Sequence, residues 1–280
     1  VSKIKVAELF YSIQGEGKYM GTPSVFLRTF GCNFRCEGFS MRPSERSTER
    51  HNVDPSKYSR YEDLPLVNTG CDSYASWDPR FKHLSPEITI SDIAKKTRSL
   101  LPKGKFGSDV HLVITGGEPL LGWQKAYSEL FNEFSLLDMD LRFVTFETNG
   151  TQMLQESFKD YLSSDEVNIT FSVSAKLPSS GEQFSSAIKP EVVYNYIAYG
   201  NVYFKFVVSS PNDYVDVKRA LDKYHEYSGM KYIPVYLMPA GGTVEEYEKN
   251  KKWVADLCMK EGYRYSPRLH VDLFGNSWGT

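Results

Sequence analysis

The sequence predicts an α/β fold: an open, partial β/α barrel of about six mostly parallel strands. Short runs rich in β-branched and aromatic residues alternate with helical stretches, the order that a parallel sheet with right-handed crossovers produces. Glycine-, cysteine- and acid-bearing motifs stand at the carboxyl ends of those runs, where α/β folds collect their chemistry. Six strands are too few for a closed eight-stranded barrel.

The runs at 24–30, 110–115, 141–146, 169–173, 202–208 and 232–237 read as the six strands. Helical patterns occupy 88–101, 124–137, 213–227 and 244–261, with Thr243 and Glu246 spaced as a capping box for the last. Between the first two strands, residues 37–70 are rich in Ser, Arg, Glu and Pro and poor in aliphatics. They read as a polar insert, a solvated surface excursion in a single domain spanning 1–280.

A chain of 280 residues with 41% hydrophobic content can bury a substantial core, which excludes disorder. A net charge of −2 and a pI near 6.3 argue against a surface built for nucleic-acid phosphates. Four cysteines are too few for a disulfide scaffold. No apolar run is long enough to cross a bilayer and the first residues lack a signal-peptide core, so the expectation is a cytoplasmic protein with reduced thiols.

Three of the cysteines surround one strand end. Cys32 and Cys36 lie in Gly-Cys-Asn-Phe-Arg-Cys, and Cys71 follows the insert. Three thiolates suit an iron–sulfur cubane with one iron left open, whereas a closed zinc site needs a fourth ligand. Closing the long excursion costs about 2 kcal/mol in chain entropy, small beside thiolate–metal bonding. Inert core cysteines and a Cys₃His zinc site using His51 are the competing readings. Cys258 falls with Val254 and Leu257 on the apolar side of a helix and reads as core.

Seven segments, taken in order, resemble the 7-carboxy-7-deazaguanine synthase family of radical S-adenosylmethionine enzymes. They are Tyr-Ser-Ile-Gln-Gly-Glu-Gly over 11–17, Phe-Leu-Arg ending at Arg28, Gly31-Cys32, Cys71-Asp72-Ser73, Thr-Gly-Gly-Glu-Pro over 115–119, Glu-Thr-Asn-Gly over 147–150 and Ser174-Ala175-Lys176. The likeness runs over nearly the whole chain. Three features depart from the family pattern. The third cysteine is displaced by the insert, Ala175 stands where proline is usual, and Ser73 stands where many members have threonine.

The resemblance implies a [4Fe-4S] cluster on Cys32, Cys36 and Cys71, with S-adenosylmethionine on its open iron. It implies conversion of 6-carboxy-5,6,7,8-tetrahydropterin to 7-carboxy-7-deazaguanine with loss of ammonia, for queuosine-type deazapurines. Gly116, Gly117 and Glu118 would meet the methionine ammonium, and Glu147, Asn149, Ser174, Ala175 and Lys176 the ribose and carboxylate. Met238 and Pro239 would meet the adenine. Ile13, Gln14, Gly15 and Glu16 would read the pterin, Arg28 would clamp its carboxylate, and Thr115, His270 and Thr280 would complete the pocket. Ser73 would hold Mg²⁺. The resemblance further implies a flavodoxin-like reductant and a homodimer.

Bland readings stand beside these. Arg28 in a buried strand could serve an internal ion pair. Glu118 and Asn149 could simply belong to turns, and Met238 could pack in the core. At the level of function the rivals are a glycyl-radical-activase-type enzyme acting on a protein, and a non-enzymatic zinc protein.

Overall fold

The computed structural model describes residues 2–164, 167–228, 232–241, 243–275 and 277–280. Among these, nine strands form one sheet: β1 (Lys3–Ile13), β2 (Pro23–Thr29), β3 (Glu87–Thr89), β4 (His111–Gly116), β5 (Phe143–Thr148), β6 (Asn168–Val173), β7 (Asn201–Val208), β8 (Val235–Pro239) and β9 (Arg264–Tyr265). Their order is β3-β1-β2-β4-β5-β6-β7-β8-β9, with two free ends, so the sheet is open. From β2 through β9 every neighbouring pair is parallel. β1 runs antiparallel to both β2 and β3.

The six expected strands are β2 and β4 to β8. The eighth starts three residues later than expected, at Val235. β1, β3 and β9 escaped the sequence reading. In β1 the lysines at 3 and 5 dilute the apolar signal, and β3 and β9 have three and two residues.

The helices are α1 (Ile90–Leu100), α2 (Gln124–Leu136), α3 (Glu156–Leu162), α4 (Phe184–Ala187), α5 (Pro190–Ile197), α6 (Pro211–Ser228), α7 (Val244–Glu261) and α8 (Leu269–Phe274). α7 begins as its sequence predicts: Thr243 Oγ1 accepts the Glu246 N–H at 3.3 Å. Gly262 ends it at φ +77°, a left-handed conformation that glycine adopts without strain. Cys258, on the apolar side of this helix, is buried in the main core, as expected.

Successive residues of a strand point to opposite faces, and here the two faces differ in chemistry. Val25, Leu27, Leu112, Ile114, Val144, Phe146, Phe171, Phe204 and Phe206 belong to the main core with the helices. Their strand neighbours Phe26, Arg28, Thr115, Glu147, Lys205, Val207 and Met238 line a cleft. The parallel register sets Arg28 beside Thr115, Glu147 beside Ser172, and Val207 beside Met238. An apolar-only strand pattern would have produced a buried two-sided sheet; the polar inner positions leave the concave face open to a ligand.

The insert is more than a solvated excursion. Val53, Tyr61, Leu64 and Val67 are buried with Tyr74, Trp77, Phe81 and Leu84 in a second core. Phe39, Ser40, Leu66, Asn68 and Gly70 line the cleft. The sequence hides this because the buried residues follow no regular period: Tyr61 lies in one short 3₁₀ turn, Val53 and Leu64 directly follow two of these turns, and Val67 stands outside them.

Candidate active site

The cleft, of about 280 Å³, collects the carboxyl ends of the parallel strands, the insert and the C-terminal segment. Cys32, Cys36 and Cys71 all line it. Burial pushes the Cys32 thiol up to about 12, Cys71 up to about 11 and Cys36 well above its ordinary value; each also feels its neighbours' charge, while Lys176 acts in the opposite direction. Such thiols ionise only against strong positive charge, which a metal cluster supplies.

Two N–H groups are set for sulfur. Phe34 N–H donates to Cys32 Sγ at 3.4 Å. The buried Trp77 Nε1–H faces Cys71 and lowers the pKa of its thiol, stabilising a thiolate there. Among the described residues no three His, Cys, Asp or Glu side chains converge on a point that would hold one metal ion. A cubane does not need such convergence, because each thiolate takes a different iron corner. The trio, its N–H donors and the absence of a fourth cysteine in the cleft fit a three-thiolate cluster. The Cys₃His alternative does not survive: His51 is exposed on the 3₁₀ turn Glu49–Asn52 and lies outside the cleft lining.

The Gly116-Gly117 turn packs directly on the cysteine loop. A Cβ on Gly117 would stand 2.3 Å from Gly31 O and 2.8 Å from Cys32 Cβ, and one on Gly116 would stand 2.2 Å from Thr29 O. Glu118 N–H donates to Gly31 O at 2.7 Å and fastens the two loops.

Glu118 itself is placed otherwise than expected. It is fully buried and absent from the cleft lining. Its Oε1 accepts from Thr148 Oγ1 at 2.7 Å and Leu120 N at 3.1 Å, and its Oε2 from Asn149 N at 2.6 Å. Burial raises its pKa despite these bonds. Its carboxyl joins the loops after β4 and β5 from behind. Ala175 is likewise buried beneath the cleft, in the main core. Every other expected site residue lines the cleft: Ile13, Gln14, Gly15, Glu16, Arg28, Ser73, Thr115, Gly116, Gly117, Glu147, Asn149, Ser174, Lys176, Met238, Pro239, His270 and Thr280.

A belt of charged contacts runs along the cleft lining from β2 to β7. Arg28 Nε donates to Glu8 Oε2 at 2.7 Å and Nη1 to Ser73 Oγ at 3.2 Å. The internal ion pair anticipated for Arg28 therefore exists, on a residue that also faces the cleft. Burial alone would lower the pKa of this guanidinium; the Glu8 carboxylate more than offsets it. Ser73 Oγ donates to Asp72 Oδ1 at 3.2 Å. Arg268 Nη2 reaches Asp72 Oδ2 at 3.1 Å and Nε reaches Glu16 Oε1 at 3.3 Å, while Nη1 donates to Gly241 O. Lys205 Nζ closes the belt on Glu16 Oε2.

Burial would raise the Glu16 carboxyl, but Lys205, Arg268 and His270 together hold it well below the carboxylate range. The His270 pKa is lowered, by burial first. Gln14 Nε2 donates to Glu147 Oε1 at 3.1 Å. A Cβ on Gly15 would meet His270 Nδ1 at 2.1 Å, so the turn can approach the histidine only as glycine.

The C-terminal segment is tied to the insert. Trp278 Nε1 donates to Leu64 O at 2.7 Å, and its ring meets Tyr61 edge-on at 5.0 Å between centroids. Asn276, in this same segment, lies outside the described residues.

The sequence reading missed Glu8, Asp72, Trp77, Lys205, Arg268 and Trp278. Lys205 carried a usable signal, a lone charge in the aromatic run Val-Tyr-Phe-Lys-Phe-Val-Val. Arg268 and Trp278 lie in the C-terminal stretches around His270 and Thr280 whose resemblance pointed to the pocket, but their partners, far away in sequence, could not be named.

This cleft can now be set beside known proteins. No family model matches the chain. The 7-carboxy-7-deazaguanine synthase of Halobacterium salinarum is 30% identical over 98% of this chain and 91% of its own length. The chain belongs to the 7-carboxy-7-deazaguanine synthase family. The Pyrobaculum aerophilum synthase is 28% identical, covering 99% of this chain and 97% of its own. Among solved structures, QueE from Escherichia coli superposes with a TM-score of 0.57 at 18% identity, over 96% of this chain and 95% of that one. That last likeness concerns the fold, and it agrees with the open, mostly parallel sheet. Membership of the synthase family bears out the resemblance drawn from the motifs. It also sets aside the activase and zinc-protein readings.

Proposed function

We propose that the chain is a radical S-adenosylmethionine lyase that converts 6-carboxy-5,6,7,8-tetrahydropterin to 7-carboxy-7-deazaguanine with loss of ammonia. The observation that carries this reading is the convergence, in one cleft, of three thiols with an arginine and an ionised glutamate. When bound, the [4Fe-4S] cluster and S-adenosylmethionine supply the radical chemistry. The protein binds, orients and excludes water.

Cys32, Cys36 and Cys71 would hold the cluster. Gly116 and Gly117 would let the methionine end approach the backbone, and Glu147, Asn149, Ser174 and Lys176 would bind the ribose and carboxylate. Lys176 Nζ donates to Ser174 Oγ at 3.2 Å and has no carboxylate partner among the described residues, which suits it to an incoming carboxylate. Glu118 would act as a positioning residue, fixing the backbone of Asn149. Met238 and Pro239 would flank the adenine.

For the pterin, Arg28 would clamp the carboxylate. Ile13 to Glu16, with Thr115 and His270, would hold the ring, and Thr280 would close the end. Mg²⁺ at Ser73 would use the hydroxyl lone pair that Arg28 leaves free, with substrate oxygens and water completing its shell. A flavodoxin-like reductant, a homodimer and a cytoplasmic setting complete the proposal, supported by the family likeness. Among the described residues no helix is long and apolar enough to cross a membrane.

Anaerobic turnover tests the reading. Reconstituted protein given the tetrahydropterin, S-adenosylmethionine and a strong reductant should release 7-carboxy-7-deazaguanine. Methionine and 5′-deoxyadenosine without that product would overturn it.

A further inference from the structure

β7 carries one charge in an otherwise apolar and aromatic strand. Phe204 and Phe206 go to the helix-side core, and Lys205 between them faces the cleft at 5% exposure. Its ammonium carries three donors and gives one to Glu16 Oε2; no other acceptor contacts it among the described residues. Arg268, on the other side of Glu16, has each of its three nitrogens engaged, by Glu16, Gly241 O and Asp72. Each oxygen of an ionised carboxylate offers about two lone-pair sites. Glu16, which lines the cleft and is held by one cation on each oxygen with His270 Nε2 4.0 Å from Oε1, therefore keeps acceptor capacity.

The aminopyrimidinone edge of a pterin presents a 2-amino donor, an N3–H donor and an O4 acceptor in a row. Its complement is two adjacent acceptors flanked by a donor. The Glu16 carboxylate beside the Lys205 ammonium has that order, with the spare donors on Lys205. We propose that Lys205 is a specificity residue that donates to the 4-oxo group of the pterin while Glu16 accepts from the 2-amino and N3–H groups. This deepens the proposed function and rests on it. The same three groups survive in 7-carboxy-7-deazaguanine. The Glu16–Lys205 pair therefore grips the part of the molecule the reaction leaves alone, while the opposite ring is remodelled. A lysine that served only to neutralise Glu16 would not care which atom stands at position 4.

The test measures binding of two unreactive probes to the anaerobic, cluster-loaded protein by calorimetry: 6-carboxypterin and its 4-thioxo counterpart. The thioxo probe keeps both N–H donors and replaces the oxygen by a weak acceptor. The wild-type protein should favour the oxo probe by about tenfold or more, the value of a charge-assisted hydrogen bond. Lys205→Met, similar in length and without donors, should bring the ratio to within about twofold by losing oxo affinity. Lys205→Gln keeps an N–H donor and should retain much of the preference, whereas Lys205→Leu, a second donor-free side chain, should lose it and carries the test should the methionine variant fail to fold. An unchanged ratio in Lys205→Met, or a ratio collapsed equally by the glutamine, overturns the assignment to Lys205 alone. A wild-type protein that binds neither probe overturns the pterin reading beneath it.

Discussion

Replacing Gly117 by alanine tests whether the turn after β4 and the cysteine loop form one unit. The new Cβ would lie 2.3 Å from Gly31 O and 2.7 Å from Gly31 C, both backbone atoms. Gly31 has little freedom to retreat. Its N–H donates to Ser76 O at 2.8 Å and its oxygen accepts the Glu118 N–H at 2.7 Å. Relief therefore requires the loops to part by about an ångström, which strains the packing by about 1–3 kcal/mol. It also loosens a buried hydrogen bond worth about 1 kcal/mol. A total near 3 kcal/mol corresponds to a melting temperature lower by roughly 5–10 °C for a chain of this size. Cys32 moves with Gly31, so iron content should fall as well. Differential scanning fluorimetry of the apoprotein and iron per chain after reconstitution read the two effects. Gly122→Ala is the control, since a Cβ there meets nothing within 4 Å. It should stay within about 0.5 kcal/mol of wild type. A Gly117→Ala protein with wild-type melting and full iron would refute the loop-locking argument.

Alanine at Cys32, Cys36 or Cys71 should abolish the iron–sulfur absorbance. Alanine at Cys258 should preserve it and cost only about 1 kcal/mol of stability for a small cavity. Arg28→Ala should weaken pterin binding by about tenfold or more while S-adenosylmethionine cleavage continues uncoupled; unchanged pterin affinity would remove the clamp. Glu16 has a folded pKa below its ordinary 4.5, so its contribution to stability is present above that value and drains away as pH falls below it. Urea midpoints taken from about pH 6 down to about pH 3 should therefore decline less steeply in Glu16→Gln than in wild type. Trp278→Ala deletes a hydrogen bond and an edge-on ring contact, together about 2 kcal/mol of tail anchoring. It should raise the pterin KM without altering iron content.

Local signals carried the fold. Strand and helix periods, the α7 cap at Thr243 and the motifs at strand ends are all read within a few residues, and the structure follows them. The site was legible where a motif fixes backbone, as at Gly116-Gly117 or Gly15. It was not legible where a side chain's direction depends on distant partners. Glu118 looked available because its turn is at the cleft. It turns inward because Thr148, Asn149 and Leu120 offer three donors behind the loop. Arg268 looked unremarkable because Asp72, Glu16 and Gly241 come to it from three separate segments. The insert looked solvated because its apolar residues follow no period, yet Leu64 and Tyr61 hold Trp278 from more than 200 residues away.

The charges of the cleft divide in a way only the folded chain exposes. Along the belt each cation has a carboxylate: Arg28 with Glu8, Lys205 with Glu16, Arg268 with Glu16 and Asp72. These groups are neutralised before a ligand arrives, so they present fixed hydrogen-bond directions to a polar ring and cost little to reorganise. At the cysteine end the balance is different. The Arg35 guanidinium lies 4.7 Å from the Trp77 ring centroid, and Lys176 acts on all three thiols. Neither cation has a carboxylate partner within ion-pair distance among the described residues. Three thiolates and a ligand carboxylate would bring negative charge there, and these two cations would meet it. One cleft thus holds two electrostatic environments, a belt whose cations are each paired with a carboxylate and a cysteine end where Arg35 and Lys176 are not.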